Sequence, residues 1–561
     1  MSRRRAARRA LRLEELAAIV ERAAAVLSVE ERGMLTAALE TLAVLTRELE
    51  AKGASIERLR RLLFGPRTET TSRVLGDPAA DRTGPDDAAA AGTTRPRAGA
   101  AERDADEGAA RRKGHGRNGA AAYRGAERVR VPHGALHHGD RCPGCARGKV
   151  YAQREPEVLV RVIGMAPLTA RLYELERLRC NACGEVFAAE APPGVGPEKY
   201  DATAASMIGL LKYGCGLPFY RLERLQRDLG IPLPAATQWE LVRDAAERLA
   251  PAHDELIRQA AQGEVVHNDD TTMTVLELAA PPAAAAADAE ATAEENGDER
   301  TGVYTSGIVA TADGHRIALF FTGRQHAGEN LAAVLAQRAA ELPPPIQMCD
   351  ALAANTAGEL GTIVANCLAH GRRQFVDVAH NFPDECRYVL ETLREVYRTD
   401  AAARAQGMSA AERLRLHQAE SGPRMEALEQ WMRAQIEARL IEPNSGLGEA
   451  IAYMQKHWAK LTLFLREPGA PLDNNICERA LKKAILHRKN ALFYKTENGA
   501  RVGDLFMSLI HTAELCGADP FDFLTVVQRY HEAVAAHPDQ WMPSNYQQTL
   551  AERSSASDAS G

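Results

Sequence analysis

Apolar positions along this chain change their spacing several times, and each change predicts an element. From about 11 to 64, Leu39, Leu42, Leu45, Leu49, Ile56, Leu59, Leu62 and Leu63 recur at helical intervals, with a break near Gly53. That pattern predicts a helical hairpin or coiled coil, either packed on the body of the protein or paired with a second copy. From 264 to about 350 the spacing shortens to that of strands: Val265 to Leu278, Gly302 to Thr311, Arg316 to Phe321 and Ile346 to Met348, with a helix at about 328 to 341. The stretch 384–465 returns to helical spacing and carries Trp431 and Trp458. From 475 to about 534 the chain reads as helical, with one strand-like run at Ala491 to Tyr494, and the polar tail after about 545 reads as frayed.

Two stretches lack large apolar residues. Residues 76–127 and the loop 279–300 are rich in Ala, Gly, Pro and charge, too poor in apolar surface to offset chain entropy, and read as disordered. Between them lies a cysteine-bearing unit, 128–190. A helical unit, 200–262, follows it. Within that unit, Pro218 to Leu229, a turn at Gly230-Ile231-Pro232, and a helix from about Ala235 read as a helix-turn-helix or as an ordinary helical hairpin. If the pair reads DNA, Gln238, Glu240 and Arg243 are the candidate contacts. The expected organisation is 1–75 helical, 76–127 linker, 128–190 metal-binding, 200–262 helix-turn-helix, 263–383 and 466–535 the two parts of an α/β core, 384–465 a helical insertion, and 536–561 a tail.

Composition narrows this picture only a little. The 561 residues exceed what one core organises. No run of 18 apolar residues suggests a membrane span, and the basic N-terminus lacks the apolar stretch of a signal peptide, so a cytoplasmic, nucleoid-associated protein is expected. The net charge of -6 excludes nothing, because DNA binding depends on where cations cluster. Ten cysteines include Cys142-Pro143-Gly144-Cys145 and Cys180-Asn181-Ala182-Cys183, two Cys-x-x-Cys pairs suited to one structural zinc. The other six (Cys215, Cys349, Cys367, Cys386, Cys477 and Cys516) read as small buried hydrophobes.

Three separated acids carry the chemistry. Asp269 in His267-Asn268-Asp269-Asp270-Thr271 and Asp350 in Met348-Cys349-Asp350 end strand-like runs; Glu478 in Asp473-Asn474-Asn475-Ile476-Cys477-Glu478-Arg479 opens a basic helix. Carboxylates so arranged suit paired divalent cations at a phosphoryl-transfer site. Each has a plainer reading. Asp270 rivals Asp269, since a strand turns only one of them to a given face. Asp473 rivals Glu478, which could instead complete a capping box with Asn475. The helix that follows carries Arg479, Lys482, Lys483, Arg488 and Lys489, a density suited to a phosphate backbone or to a solvated face. Cys367 to Phe375, with His370, Arg372 and Arg373, is a second basic element in which His370 could serve proton transfer or simply pack.

Taken together, these blocks resemble the insertion-sequence 66 family of bacterial DDE transposases over about 40 to 535. The Leu59 to Glu69 segment, the four cysteines, the 218–243 stretch, the three acid blocks, Cys367-x-x-His370-x-Arg372-Arg373-x-Phe375 and Arg488-Lys489-Asn490 occur in the family's order. Asp270 stands where the family usually has Glu, and Ala351 to Asn355 lacks its usual aromatic and glycine pattern. The resemblance implies an RNase H-like mixed sheet flanked by helices, with a helical insertion, preceded by a coiled-coil segment, a zinc ribbon and a helix-turn-helix. It implies Asp269, Asp350 and Glu478 as catalytic ligands of two Mg2+ ions, with Mn2+ as a substitute, and Cys142, Cys145, Cys180 and Cys183 as ligands of structural Zn2+. It implies DNA contacts from Gln238, Arg243, His370, Arg372, Arg373, Arg479, Lys482, Lys483, Arg488 and Lys489. The expected substrates are double-stranded DNA at terminal inverted repeats and at a target; a homo-oligomer and small accessory proteins are the expected partners. The expected activity is metal-dependent strand cleavage and strand transfer. The alternatives are a catalytically inactive DNA-binding protein and a nuclease without strand transfer.

Overall fold

The structure is a computed structural model that describes residues 201–278, 302–356 and 361–558, together with short stretches between 13 and 36 and between 135 and 200. The expected leucine stripe at 39–63, the linker 76–127 and the loop 279–300 lie outside the described residues. Among the described residues, α1 spans Leu13–Ala23, and β1 (Arg177–Arg179) pairs antiparallel with β2 (Val186–Ala188).

The body begins with α2 (Ala202–Gly209), which runs into a wider turn over Leu210–Gly214, followed by α3 (Phe219–Asp228) and α4 (Ala235–Ala261). Then come β3 (Val265–Thr272), β4 (Tyr304–Ala312), β5 (His315–Gly323), α5 (Ala327–Leu335), β6 (Ile346–Cys349) and β7 (Ile363–Asn366). The sheet order is β5-β4-β3-β6-β7. β3 to β5 form an antiparallel meander, while β6 and β7 join it parallel. Parallel strands are covered on both faces, and accordingly every residue of β6 is buried. This is the mixed sheet flanked by helices that the resemblance implied. Residues 200–262 share one hydrophobic core with it: Leu222, Val242, Leu249 and Leu256 join Val266, Ile308, Phe320 and Phe506.

After β7, α6 (Leu368–Val378) leads into the expected helical insertion. It comprises α7 (Pro383–Ala405), α8 (Ala410–Leu416), α9 (Gly422–Glu437) and α10 (Gly446–Leu461). Its core of Val389, Leu393, Leu428, Ile451 and Met454 continues into Met348, Ala365 and Phe375. At its centre Asp400, almost fully buried, accepts from Arg413 Nε at 2.6 Å, pairs with Arg404, and lies 3.3 Å from His417 Nε2.

Two long helices close the core, α11 (Asn475–Ala491) and α12 (Glu497–Leu515). The second solves the edge problem of β5. Asp504 accepts from the Thr322 N–H at 2.7 Å, Ser508 from the Phe320 N–H at 3.0 Å and Thr512 from the Ala318 N–H at 3.0 Å; Cys516 reaches the Arg316 carbonyl at 3.8 Å. Four helical residues rise about 6 Å and two strand residues nearly 7 Å, so every fourth helical side chain meets every second strand residue. The exposed edge is thereby satisfied by side chains rather than by another strand.

The C-terminal end differs from expectation. Ala491 to Tyr494 is no strand: α11 runs through Ala491, and only Tyr494 makes a single bridge, to Val275. The tail is not frayed at 545. Helices α13 (Pro520–Arg529), α14 (His531–Ala536) and α15 (Tyr546–Asp558) follow, and Trp541, Met542 and Tyr546 are buried, Tyr546 donating to Asp522 at 2.9 Å. Aromatic burial holds a segment whose composition is otherwise polar. Of the six scattered cysteines, Cys349, Cys367, Cys386 and Cys477 are buried as expected, whereas Cys215 is exposed and Cys516 half-buried.

Candidate active site

β3 and β6 run parallel, and their last registered pair is His267 with Met348. Asp269 and Asp350 each lie two residues beyond that pair, so both emerge at the same edge, the carboxyl end of two adjacent strands, where open α/β sheets place ligands. One amide joins them. Asn355 Nδ2 donates to Asp350 Oδ1 at 2.7 Å and reaches Asp269 Oδ1 at 3.5 Å. Asn355 is buried, and its carbonyl accepts from Asn268 Nδ2 at 2.7 Å and Gln347 Nε2 at 2.6 Å. Gln347 also donates to Asn268 Oδ1 at 3.0 Å and accepts from Thr362 at 2.8 Å. A buried polar network thus fixes the turn after Asp350 against two strands. No sequence signal marks Asn355 beyond its place in the Ala351 to Asn355 segment after the second acid.

Asp270 does not compete for this site. Its carboxylate turns to the other face, 2.8 Å from His326 Nδ1, as strand alternation requires.

The third acid arrives on α11. Asn474 docks that helix. Its Nδ2 donates to the Asn268 carbonyl at 3.1 Å, its Oδ1 lies 3.2 Å from His267 Nδ1, and its N–H donates to Cys367 Sγ at 3.2 Å. The Cys477 thiol donates to the Gly307 carbonyl at 3.2 Å. Gly307 is the cross-strand partner of Asp269, and a Cβ there would stand 3.0 Å from Leu481. The missing side chain lets the Glu478 helix close on β4, the strand paired with the one that bears Asp269. Asn474 caps α11, so Asn475 is its first residue and the capping-box reading of Glu478 fails. Asp473, the rival ligand, accepts from the Asn475 N–H at 3.1 Å and faces Tyr397 of the helical insertion.

The electrostatics register the convergence. Burial pushes the Asp269 carboxyl up to about 7; the Asp270 N–H opposes this, and the charges of Asp350, Asp270 and Glu478 add to it. Glu478 Oε1 lies 3.9 Å from His370 Nε2, and one ligand atom each from Cys367, His370 and Glu478 falls within 4.8 Å of the others. Burial drives Cys367 up to about 12, so it stays a neutral thiol that accepts the Asn474 N–H. Soft, protonated sulfur is a poor ligand for a hard cation, whereas Asp269, Asp350 and Glu478 offer oxygen alone. Burial likewise pushes Cys349 up to about 12 and Cys477 well above the usual thiol range, leaving neither as a nucleophile.

The cationic candidates divide. Arg479, Lys482 and Lys489 are exposed along α11, and on α6 Arg373 is exposed and Arg372 half-buried. Lys483 pairs with Glu514 at 2.9 Å, and Arg488 is stapled to Thr271 and Thr272 at the end of β3. The expected role of Gln238 is corrected: it is fully buried and donates to the carbonyls of Phe219 and Leu233 at 3.1 and 2.9 Å, bracing the turn between α3 and α4. Arg243 is exposed but pairs with Asp244 at 2.8 Å, with Glu240 and Glu247 nearby. The partner helix α3 also carries exposed cations, Arg221, Arg224 and Arg227.

The first half of the cysteine module forms a tight knuckle: Cys142 N–H donates to the Gly148 carbonyl at 2.8 Å, and Gly148 N–H to Cys145 Sγ at 3.5 Å. Cys180 and Cys183 lie outside the described residues.

Comparison with known proteins decides the kinship. The sequence profile described as Transposase IS66 family matches residues 199–502, more than half of the chain and the whole span that carries the three acids. The chain belongs to the Transposase IS66 family. Membership of this family points to DNA transposition as the general activity, to DNA as substrate and to a divalent metal as cofactor. Three proteins of Sinorhizobium fredii (strain NBRC 101917 / NGR234) are similar to this IS66 chain. "Uncharacterized protein y4jD" is 26% identical over 69% of this chain and 74% of its own length. "Uncharacterized protein y4qI" is 28% identical over 57% of each, and "Uncharacterized protein y4hP" 25% identical over 65% of each. The chain thus spans about three-quarters of the first and less than two-thirds of the other two. Among the described residues of this IS66 protein, no helix is long and apolar enough to cross a membrane.

Proposed function

We propose that this chain cuts DNA at the ends of a mobile element and joins the released strand to a target, on an RNase H-like core. The observation that carries the reading is the shared amide of Asn355, which draws Asp269 and Asp350 together while Glu478 adds its charge to Asp269. Asp269, Asp350 and Glu478 would hold two Mg2+ ions. Bound there, the ions would act as Lewis acids toward the scissile phosphate and lower the pKa of the attacking water or hydroxyl. The protein's own part is placement. Asn355 and its network orient the two aspartates, Asn474 seats Glu478, and His370 faces Glu478 where it can hold a proton. Arg479, Lys482 and Lys489 bind backbone phosphates leading into the site. Cys142, Cys145, Cys180 and Cys183 would hold a zinc whose work is structural, and at least two copies would act together on paired element ends, with accessory proteins as further partners.

A strand-transfer assay on labelled element ends tests this. Magnesium-dependent nicking and joining, both lost in Asp269→Asn, is expected. Sequence-specific binding without cleavage, or cleavage without joining, would favour the two alternatives. For the zinc site, about one zinc per chain is expected, lost on changing Cys142 or Cys180; a metal-free preparation in which this segment stays folded would refute it.

A further inference from the structure

The end of α11 holds a feature that the proposed chemistry does not use. Leu492 has φ 72° and ψ −44°, a γ-turn conformation that is strained for a bulky side chain. Leu492 is 65% exposed and Phe493 beside it 42% exposed. Both flanks of this pair are pinned. The Leu492 N–H donates to the Arg488 carbonyl at 2.9 Å, and the Arg488 guanidinium is held by Thr271 and Thr272. On the other side, the Tyr494 N–H donates to the Thr274 carbonyl and its own carbonyl accepts from Leu276, each at 2.9 Å. The Tyr494 ring is buried and stacked 4.3 Å from His487. Fixed ends therefore enforce the turn and hold two apolar side chains in solvent. A lone exposed leucine needs no explanation. An exposed apolar pair whose first residue is strained and whose two flanks are pinned marks a site where conformation is kept for use.

Its surroundings name the occupant. Thr271 to Thr274, which anchor the pair, begin two residues after Asp269 on the chain. Arg479, Lys482 and Lys489 are exposed along the helix that begins beside Glu478 and ends at the pair, and Lys495 is exposed just after it. The nearby acids are Glu277 and Glu497, and the Glu277 carboxylate is already engaged with the Glu497 N–H at 2.8 Å. A line of cations running from an acid cluster to an apolar pair complements a polyanion with stacked apolar planes, which is duplex DNA; an apolar protein partner would not require the cations.

We propose that Leu492 and Phe493 form a wedge that unstacks a base of the DNA end lying across the acid cluster, holding that end open for attack. The inference rests on the reading of the chain as a DNA-cutting and joining enzyme.

The test uses the full chain and a duplex carrying the element's terminal inverted repeat, with 2-aminopurine walked through the positions around the cleavage site. This base brightens when it leaves the stack. The wild-type protein should raise its fluorescence several-fold at one position. Leu492→Gly should melt no lower than wild type, because glycine accepts a positive φ without strain, yet it should lose the rise. Phe493→Ala should lose it too, with end cleavage reduced about tenfold or more, the scale of one lost base–aromatic stack. Both variants should keep most of their duplex affinity, which the phosphate contacts supply. Persistence of the rise in both variants, or duplex binding by wild type with no rise at any position, would overturn the proposal and leave the enzyme reading intact. A change of oligomer size in the variants would assign the pair to a second copy and overturn it as well. Failure of the wild type to bind the duplex at all would bring down the enzyme reading together with the wedge.

Discussion

Replacing Asp269 by Asn should stabilise the metal-free protein while abolishing its chemistry. In the fold, burial and the neighbouring acids raise the Asp269 carboxyl from the ordinary 3.8 to about 7. The metal-free folded state therefore keeps a proton that the unfolded chain has already lost. Stability from this group falls as pH climbs from about 4 to about 7 and is level above that. The full difference corresponds to about 4 kcal/mol at most, since a factor of ten is worth about 1.4 kcal/mol, and partial exposure of Asp350 and Glu478 reduces it. Asparagine keeps the shape and removes the charge, so in chelator Asp269→Asn should unfold later than the parent by a few kcal/mol at pH 8.5, by about half as much at pH 5.5, and by almost nothing below pH 4. Asp504, which burial also pushes up to about 7 against the Thr322 hydrogen bonds, shifts both proteins alike and cancels in the comparison. Mg2+ should then close most of that gap. It stabilises the parent by about 2.7 kcal/mol at a hundred times its dissociation constant, and the variant scarcely at all. Thermal or urea unfolding at three pH values, with EDTA or Mg2+, reads this directly. A variant no more stable than the parent at pH 8.5, or one that Mg2+ protects equally, would refute the convergence of charge on Asp269.

Asn355→Ala should leave the fold intact, because the backbone carbonyl keeps its bonds to Asn268 and Gln347, yet raise the Mn2+ concentration for half-maximal binding by about 10- to 100-fold; Mn2+ titration followed by electron paramagnetic resonance reads it without any cleavage step. Asp400→Ala should cost about 3 to 5 kcal/mol by leaving Arg413 and His417 unpaired in the helical insertion, measured by urea unfolding. Burial would raise the Asp400 carboxyl, but its bond to His417 and the charges of Arg413 and Arg404 outweigh this and hold it well below the usual range. Its stabilisation should thus be complete above about pH 4 and fall away at lower pH, a loss absent from the Ala variant. Gly307→Val should push α11 off the sheet through Leu481 and Cys477 and remove metal binding and cleavage together, while Gly307→Ala, whose Cβ needs only a small shift of Leu481, should retain part of both.

Alternation and helical periodicity reach across a few residues, and within that reach the sequence by itself determined much of this protein. It located β4, β5 and β6, the helical insertion, and the residue types that could bind a cation. Only the tertiary structure chose between neighbours of equal chemistry. Asp269 meets Asp350 because β3 and β6 are adjacent and parallel, while Asp270 turns to His326. Gln238 had the polarity of a DNA contact, but packing of α3 on α4 gave its amide two carbonyls to satisfy. Neither the role of Asn355 nor the edge-capping role of α12 is legible locally, because their partners lie far away in sequence: Asp269 for Asn355, and the edge of β5 for Asp504, Ser508 and Thr512. Local pattern says which face of an element is apolar. Which groups share a site depends on strand order and helix docking, and those are fixed by contacts between residues distant in sequence, such as Cys477 with Gly307, 170 residues apart.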